Sequence, residues 1–301
     1  ADHRDLHSFP TRRSSDLIQM LGKLIKNEFK AVNRLMLPLH LGLIVITIIG
    51  RFYIQFTVFN DPTWYLIAQQ NVWYNIINAL LIFFYVIALI AAALITWIYL
   101  SILRFRKNLF TDEGYLMHTL PVSASAHIWS KLIVSFIWQT IDVILVILSV
   151  FALFVNMDIL RALPQGFAEI FRSFPDAFGV PAGVGIPLYL LLFTINSISG
   201  ILIVYMCIAI GHSFNTHKIL ASVGVYVGMI LVNNLISMIF SAVTGMISYG
   251  SSSVFIGTAN NMPNAANFWL SWSFAMLLCL VTAAAGYLLS NYFMTKRLNL
   301  E

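Results

Sequence analysis

The sequence predicts an all-α membrane protein: six transmembrane helices, a basic amphipathic helix lying at the interface ahead of the first, and both termini cytoplasmic. Composition, block length and the placement of basic residues carry that prediction. The chain is 59% hydrophobic and only 10% charged, with a mean hydropathy of +0.84, whereas soluble domains carry about 25% charged residues. The apolar excess is gathered into blocks matching the roughly 20 helical residues that cross a hydrocarbon core. Of the fourteen Lys and Arg after residue 17, eleven fall on one side when the six blocks are threaded through a bilayer: Lys23, Lys26, Lys30, Arg34, Arg104, Arg106, Lys107, Lys131, Lys218, Lys296 and Arg297. Only Arg51, Arg161 and Arg172 fall on the other, and Lys and Arg accumulate on the cytoplasmic side.

Residues 1–17 stand apart. They are polar and rich in Arg and Ser, without the apolar core of a secretory signal. Written in codons, His7 to Leu17 matches a sequencing-library adapter read in frame, so this stretch is expected to be an artefact rather than a native cytoplasmic tail. In residues 18–34, Ile18, Leu21, Ile25, Phe29 and Val32 recur at three- and four-residue steps among Lys23, Lys26, Lys30 and Arg34, the pattern of a basic helix lying on the inner leaflet.

The membrane-spanning body, residues 35–298, contains spans expected at about 35–56, 76–100, 131–155, 187–210, 219–247 and 268–294. Arg51 must snorkel outward from the first. Trp64, Tyr65, Trp73 and Tyr74 flank the first outer return as interfacial aromatics. The outer segment 156–186 spaces Leu160, Leu163, Phe167, Ile170, Phe171 and Phe174 helically, which predicts a short interfacial helix bounded by Pro164 and Pro175. Residues 211–218 form a tight inner turn. The uncharged segment 248–267 offers Val254, Phe255 and Ile256 for a dip back into the membrane.

Motifs for chemistry are sparse. No glycine-rich phosphate loop and no H-E-x-x-H occurs, so nucleotide binding and zincin-type catalysis by this chain are not expected. The basic residues are explained by topology, which removes the case for nucleic acid. Cys207 and Cys279 lie in separate spans and read as packing residues. Asp142 is the one carboxylate deep in a span, where a charge costs about 2.5–3.5 kcal/mol on insertion scales. It requires a partner, a wet cavity or a proton. Gln139 shares its helical face, and Asn196, Ser197, Ser199, Asn233 and Asn234 add polar groups in later spans. These serve interhelical packing or line a pathway. His40, near the inner end of span one, is expected to bond locally. About 100 residues and separate spans divide it from Asp142, which argues against an intramembrane catalytic pair. Gly224 and Gly228 form a small-xxx-small packing signal.

The inner segment from Arg104 to Leu132 reads RFRKNLFTDEGYLMHTLPVSASAHIWSKL. Thr111 is a candidate helix cap with Asp112 and Glu113 in the first turn. Tyr115, Leu116 and Leu120 supply apolar contacts, Pro121 ends the run, and Ser123 or Ser125 opens the next helix. A short helix with exposed apolar residues fits a protein partner or the lipid surface. The phrases D-E-G-Y-L and T-L-P-V-S, the Ser130-Lys131-Leu132 start of span three and the terminal T-K-R-L-N-L resemble permease subunits of ABC transporters of the type-2 exporter class, especially those of Gram-positive bacteria. That resemblance covers the layout from Ile18 to Glu301. It implies a non-enzymatic subunit in a bacterial cytoplasmic membrane, paired with a second permease chain. ATP and Mg would be bound by a separate ATPase subunit, with no cofactor on this chain. It further implies that Asp112, Glu113, Gly114, Tyr115, Leu116, Leu120, Pro121 and Ser123 contact that ATPase, and that the outer segment before span six caps the pathway. The long outer segment 156–186 departs from the family pattern. An ATP-independent channel or scaffold and an intramembrane enzyme are the alternatives.

Overall fold

The computed structural model describes residues 14–59, 67, 71–111, 114, 122–244 and 264–296, which are helical with short connections and contain no strand. Helix α1 (Ser14–Ile54) ends in a π-helical segment, Gln55–Phe59. Helix α2 (Val72–Trp97) passes through another π-helical segment (Ile98–Leu103) into α3 (Arg104–Phe110). Then come α4 (Ala124–Phe154), α5 (Met157–Phe178), α6 (Ala182–Gly211), α7 (Lys218–Val243) and α8 (Asn264–Lys296). Six of these helical runs are long and apolar enough to cross a membrane: α1, α2 with α3, α4, α6, α7 and α8. Each coincides with an apolar block of the sequence.

Two local expectations are corrected, and a third, the separate interfacial helix at residues 18–34, finds no support. The residues expected to lie on the inner leaflet continue without a break into the first span as one 41-residue helix. Its apolar stripe serves protein packing, with Ile25 and Phe29 resting on the buried cluster of Val32, Met36, Leu100, Val134 and Trp138. Glu28 lies on that stripe and bonds two cations, so burial of the stripe satisfies charges that a lipid surface would leave apart. The return after span two also starts later than expected, because residues 103–110 stay helical and Phe105, Asn108, Leu109 and Phe110 are buried. Finally, Pro164 and Pro175 lie inside the 22-residue α5 rather than bounding it. The true boundaries are Asn156, whose side-chain oxygen accepts from the Ile159 N–H at 2.7 Å, and Gly179, left-handed at φ 73°, the conformation glycine adopts without a Cβ penalty.

Two parallel helix pairs organise the bundle. Contacts between α1 and α4 keep a constant sequence separation: Glu28 with Lys131 (103 residues), His40 with Asp142 (102), Thr47 with Ser149 (102) and Arg51 with the Leu153 carbonyl (102). Only helices running in the same direction preserve such an offset. Contacts between α6 and α8 do likewise: Leu188 with Trp272 (84), Asn196 with Cys279 (83) and Ser199 with Thr282 (83). At the end carrying Glu28 and Lys131, here the basic end, a larger core of Phe105, Leu109, Ile128, Leu132, Ile201 and Tyr205 joins α3, α4 and α6. There Phe105 stacks on Tyr205 with centroids 3.8 Å apart and planes 6° apart. Helix α7 has no buried residue. It meets the bundle through the turn at Gly211, where an added Cβ would stand 2.6 Å from the Ser222 backbone nitrogen, and through the Phe240–Phe274 stack.

Candidate functional site: a polar seam between two parallel helices

The inward face of α1 is a single stripe. Glu28, Val32, Met36, His40, Leu43 and Thr47 are all buried and recur at steps of four or three, as one helical face requires. Against α4, and with α2 alongside, this stripe alternates polar stations with apolar seals.

At the basic end, Arg104 grips Glu28 with two nitrogens: Nε donates to Oε1 at 3.0 Å, and an Nη lies 2.9 Å from Oε2. Lys131 donates to Oε1 at 2.9 Å. The forked guanidinium suits a carboxylate, and one carboxylate thus ties α1, α3 and α4 together. Toward the far end comes the Val32, Met36, Leu100, Val134 and Trp138 cluster, and beyond it His40. The His40 ring stacks obliquely on Trp138, its Nδ1 lies 2.7 Å from the Met36 carbonyl oxygen, and its Nε2 lies 3.0 Å from Asp142 Oδ1. Thr96 of α2 donates to the same carboxylate oxygen at 3.3 Å. Leu43, Leu89 and Ala92 form the next seal. Beyond it Thr47 donates to the Leu43 carbonyl. Each hydroxyl has a single proton, so Ser149 donates to Thr47 and Tyr85 to Ser149. The seam closes at Arg51, bonded to Gln55 and the Leu153 carbonyl, and at Tyr53, which donates to Asn78 at 3.1 Å.

Around its far half, α1 is flanked by two apolar recesses. One of 530 Å³ opens between α1 and α2, lined by residues including Ile49, Gly50, Tyr53, Asn78, Tyr85 and Ala88. The other, 200 Å³, lies on the α4 side around Leu43, Thr47, Leu148 and Ser149. The larger falls within the range of ligand pockets, about 300–1,000 Å³.

The residues singled out by sequence distribute as follows. Asp142 does find a partner, and it is His40, which the separation of about 100 residues and two spans gives no reason to pair with it. Both ring nitrogens of His40 are engaged, and Thr96 bonds the carboxylate rather than the imidazole. Gln139 donates instead to Ser101 at 3.0 Å. Asn196 accepts from Cys279 at 3.5 Å and Ser199 pairs with Thr282 at 2.7 Å. Ser197 donates to its own helix at the Phe193 carbonyl. Asn233 takes part through its carbonyl with Ser237, and Asn234 is exposed on α7. An added Cβ at Gly224 or Gly228 would meet nothing within 4 Å, so the small-xxx-small pair packs against no described part of this chain.

In the inner segment, Asp112, Glu113, Tyr115, Leu116, Leu120 and Pro121 lie outside the described residues, as do residues 248–263 of the outer segment before α8. Gly114 is buried and its N–H donates to the Thr111 carbonyl at 2.7 Å. Thr111 closes α3, bonding back to the Lys107 carbonyl, and Ser123 caps α4 by accepting from the Ala126 N–H. Just behind Thr111, the His212 ring packs on Phe110 at the end of α6. Burial holds the His212 pKa below its usual 6.5. Its bond to the Ile208 carbonyl opposes that shift, and the positive charges of Arg106 and Lys218 add to it.

Glu28, Thr96, Thr47, Ser149 and Tyr85 were not anticipated as seam residues. For Glu28 a signal existed: it is the only carboxylate in the basic stretch 18–34. Comparison of the chain with protein-family models, curated proteins and solved structures found no match.

Proposed function

We propose that this protein is the membrane-spanning permease subunit of an ATP-driven exporter of the type-2 ABC class, with the basic end cytoplasmic and residues 111–123 as the contact for a separate ATPase. What supports this reading is the anchorage of that segment. It leaves α3 at Phe110 and Thr111 and returns into α4 at Ser123, and both anchors are rooted in the core of Phe105, Leu109, Phe110, Ile128, Leu132 and Tyr205. A force applied there is delivered at once to α2, α4 and α6, because close-packed interiors transmit displacement rather than absorb it. The basic residues at that end fit a cytoplasmic location. The segment's sequence carries the family resemblance. A second permease chain completes the transporter, and nucleotide and Mg belong to the partner.

The test is co-purification. The chain is expressed with a tag alongside its native neighbouring genes and extracted in mild detergent, and a Tyr115→Glu/Leu116→Glu variant serves as control. Recovery of an ATPase that the variant loses, with equal membrane insertion, supports the assignment. A stable, ATPase-free preparation turns it toward an ATP-independent channel or scaffold.

A further inference from the structure

The proton count of the His40–Asp142 pair follows from its geometry. A carbonyl oxygen only accepts, so His40 Nδ1, 2.7 Å from the Met36 oxygen, carries a hydrogen. Asp142 Oδ1 lies 3.0 Å from Nε2, and that contact also needs one proton between the two atoms. The proton rests on Nε2, giving imidazolium and carboxylate, or on Asp142, giving neutral imidazole and carboxylic acid. Either arrangement is neutral overall. With no proton there, two lone pairs would face each other and a bare carboxylate would be left between helices; with two, a net cation would be buried. Both are strongly disfavoured where water is excluded. His40 and Asp142 are 5% and 4% exposed, sealed by the Trp138 cluster on one side and the Leu43 cluster on the other.

On α1, Arg34 is about 9 Å from His40 by helical rise but is exposed on another face of the helix; the charged and titratable groups that face the seam stand further off along the packed elements. On α1, Glu28 is about 18 Å and Arg51 about 17 Å distant by helical rise. On α4, Lys131 is about 17 Å away, and Arg104 of α3 shares its station. Tyr205 of α6 bonds Ser135, and Tyr85 of α2 bonds Ser149, each about 10 Å along α4 from Asp142. From α2 itself, the Thr96 hydroxyl touches the pair, and Tyr99, one turn further on, is half-buried against the Trp138 cluster.

We propose that His40 and Asp142 form an occluded proton-binding site that holds one proton while α1 is closed on α4 and surrenders it to water when the two helices part. On opening, the N–H or O–H bond facing the partner breaks, the proton passes to water, and neutral imidazole and carboxylate remain. The recesses on both sides of the far half of α1 give that helix room to move. The inference concerns this chain alone and does not depend on the ATPase partner. Above about pH 6.5 the separated histidine gives up its proton, so opening becomes about tenfold more favourable per pH unit, because one proton is released.

The experiment counts protons. The full chain, in weakly buffered detergent about two pH units above the ordinary histidine value of about 6.5, is denatured with guanidinium, and proton release is compared with that of Asp142→Asn. The amide keeps the shape and hydrogen-bonds Nε2 without holding the extra proton, so the wild type is expected to release one more proton per chain. Equal release overturns the proposal. A second measurement needs no variant. At the same pH the folded wild type must show either an imidazolium ring in its 15N-histidine spectrum or a buried carboxylic-acid carbonyl band in the infrared. Absence of both overturns the site as well.

Discussion

The two parallel helix pairs of this protein solve the same packing problem with different chemistry. The α1–α4 pair is held by ionisable groups, with Glu28 between Arg104 and Lys131 and Asp142 against His40. The α6–α8 pair uses neutral hydrogen bonds and close backbone approach: Ser199 with Thr282, Trp272 to the Leu188 carbonyl, and Gly286, where an added Cβ would lie 3.0 Å from the Leu202 backbone. Lipid tails are as apolar as leucine, so neither pair gains from hydrophobic exclusion within the bilayer, and both depend on packing and polar contact. The difference lies in what each can release. A neutral seam can only come apart, whereas a charged one can come apart and exchange a proton or an ion partner as it does so. On the proton-site proposal, the interface that opens is α1–α4 and the one that stays closed is α6–α8.

The contrast breaks first at Glu28. Glu28→Ala removes the carboxylate that both Arg104 and Lys131 bond, and Lys131 is only 3% exposed at its side chain. Removing one member of a buried ion pair costs about 3–5 kcal/mol, and a denaturant titration in detergent should show a loss of that size. The glycine of the other seam comes next. Gly286→Val forces α8 away from the Leu202 backbone and should cost about 1–3 kcal/mol, as overpacking does. Gly228→Val, where an added Cβ meets nothing within 4 Å, should stay near wild type in the same titration. Equal losses at the two glycines would remove the distinction between a packed helix and the peripheral α7.

The six spans were legible because length and apolarity are local properties, although the first helical run begins 15 residues earlier and the second ends ten residues later than the sequence places them. The continuation of helix through residues 103–110 was hidden by Arg104, Arg106 and Lys107, which read as a loop until Glu28 is known to bond Arg104. The pairing of His40 with Asp142 was legible only in part. An unpaired carboxylate in a span announces that a partner exists, but the partner's identity depends on the parallel register of α1 and α4, which no local pattern carries. The stripe Glu28, Val32, Met36, His40, Leu43, Thr47 was available to inspection. The basic residues around its first members mask it, because they suggest a lipid surface.

The smaller predictions sharpen the neutral seam and the place where the two pairs meet. Ser199→Ala combined with Thr282→Val removes both partners of one hydrogen bond, and such bonds between membrane helices average about 0.6 kcal/mol. A loss above about 2 kcal/mol would mean that this bond carries more than packing. His212 lies at the basic end between α6 and Phe110 of α3, and its effect vanishes at neutral pH. Its pKa is held below 6.5 by burial first and by Arg106 and Lys218 in addition. As pH falls below about 6.5, the unfolded chain takes up a proton that the folded His212 refuses. The unfolded state then binds more protons, so stability declines with falling pH until the lower folded pKa is passed. Above 6.5 the residue contributes no slope. His212→Gln keeps a polar side chain at the site and removes the titration, so the difference between the pH profiles of variant and wild type should be confined to the acid side. A difference that persisted above pH 7 would assign His212 a role in packing against Phe110 and none in charge.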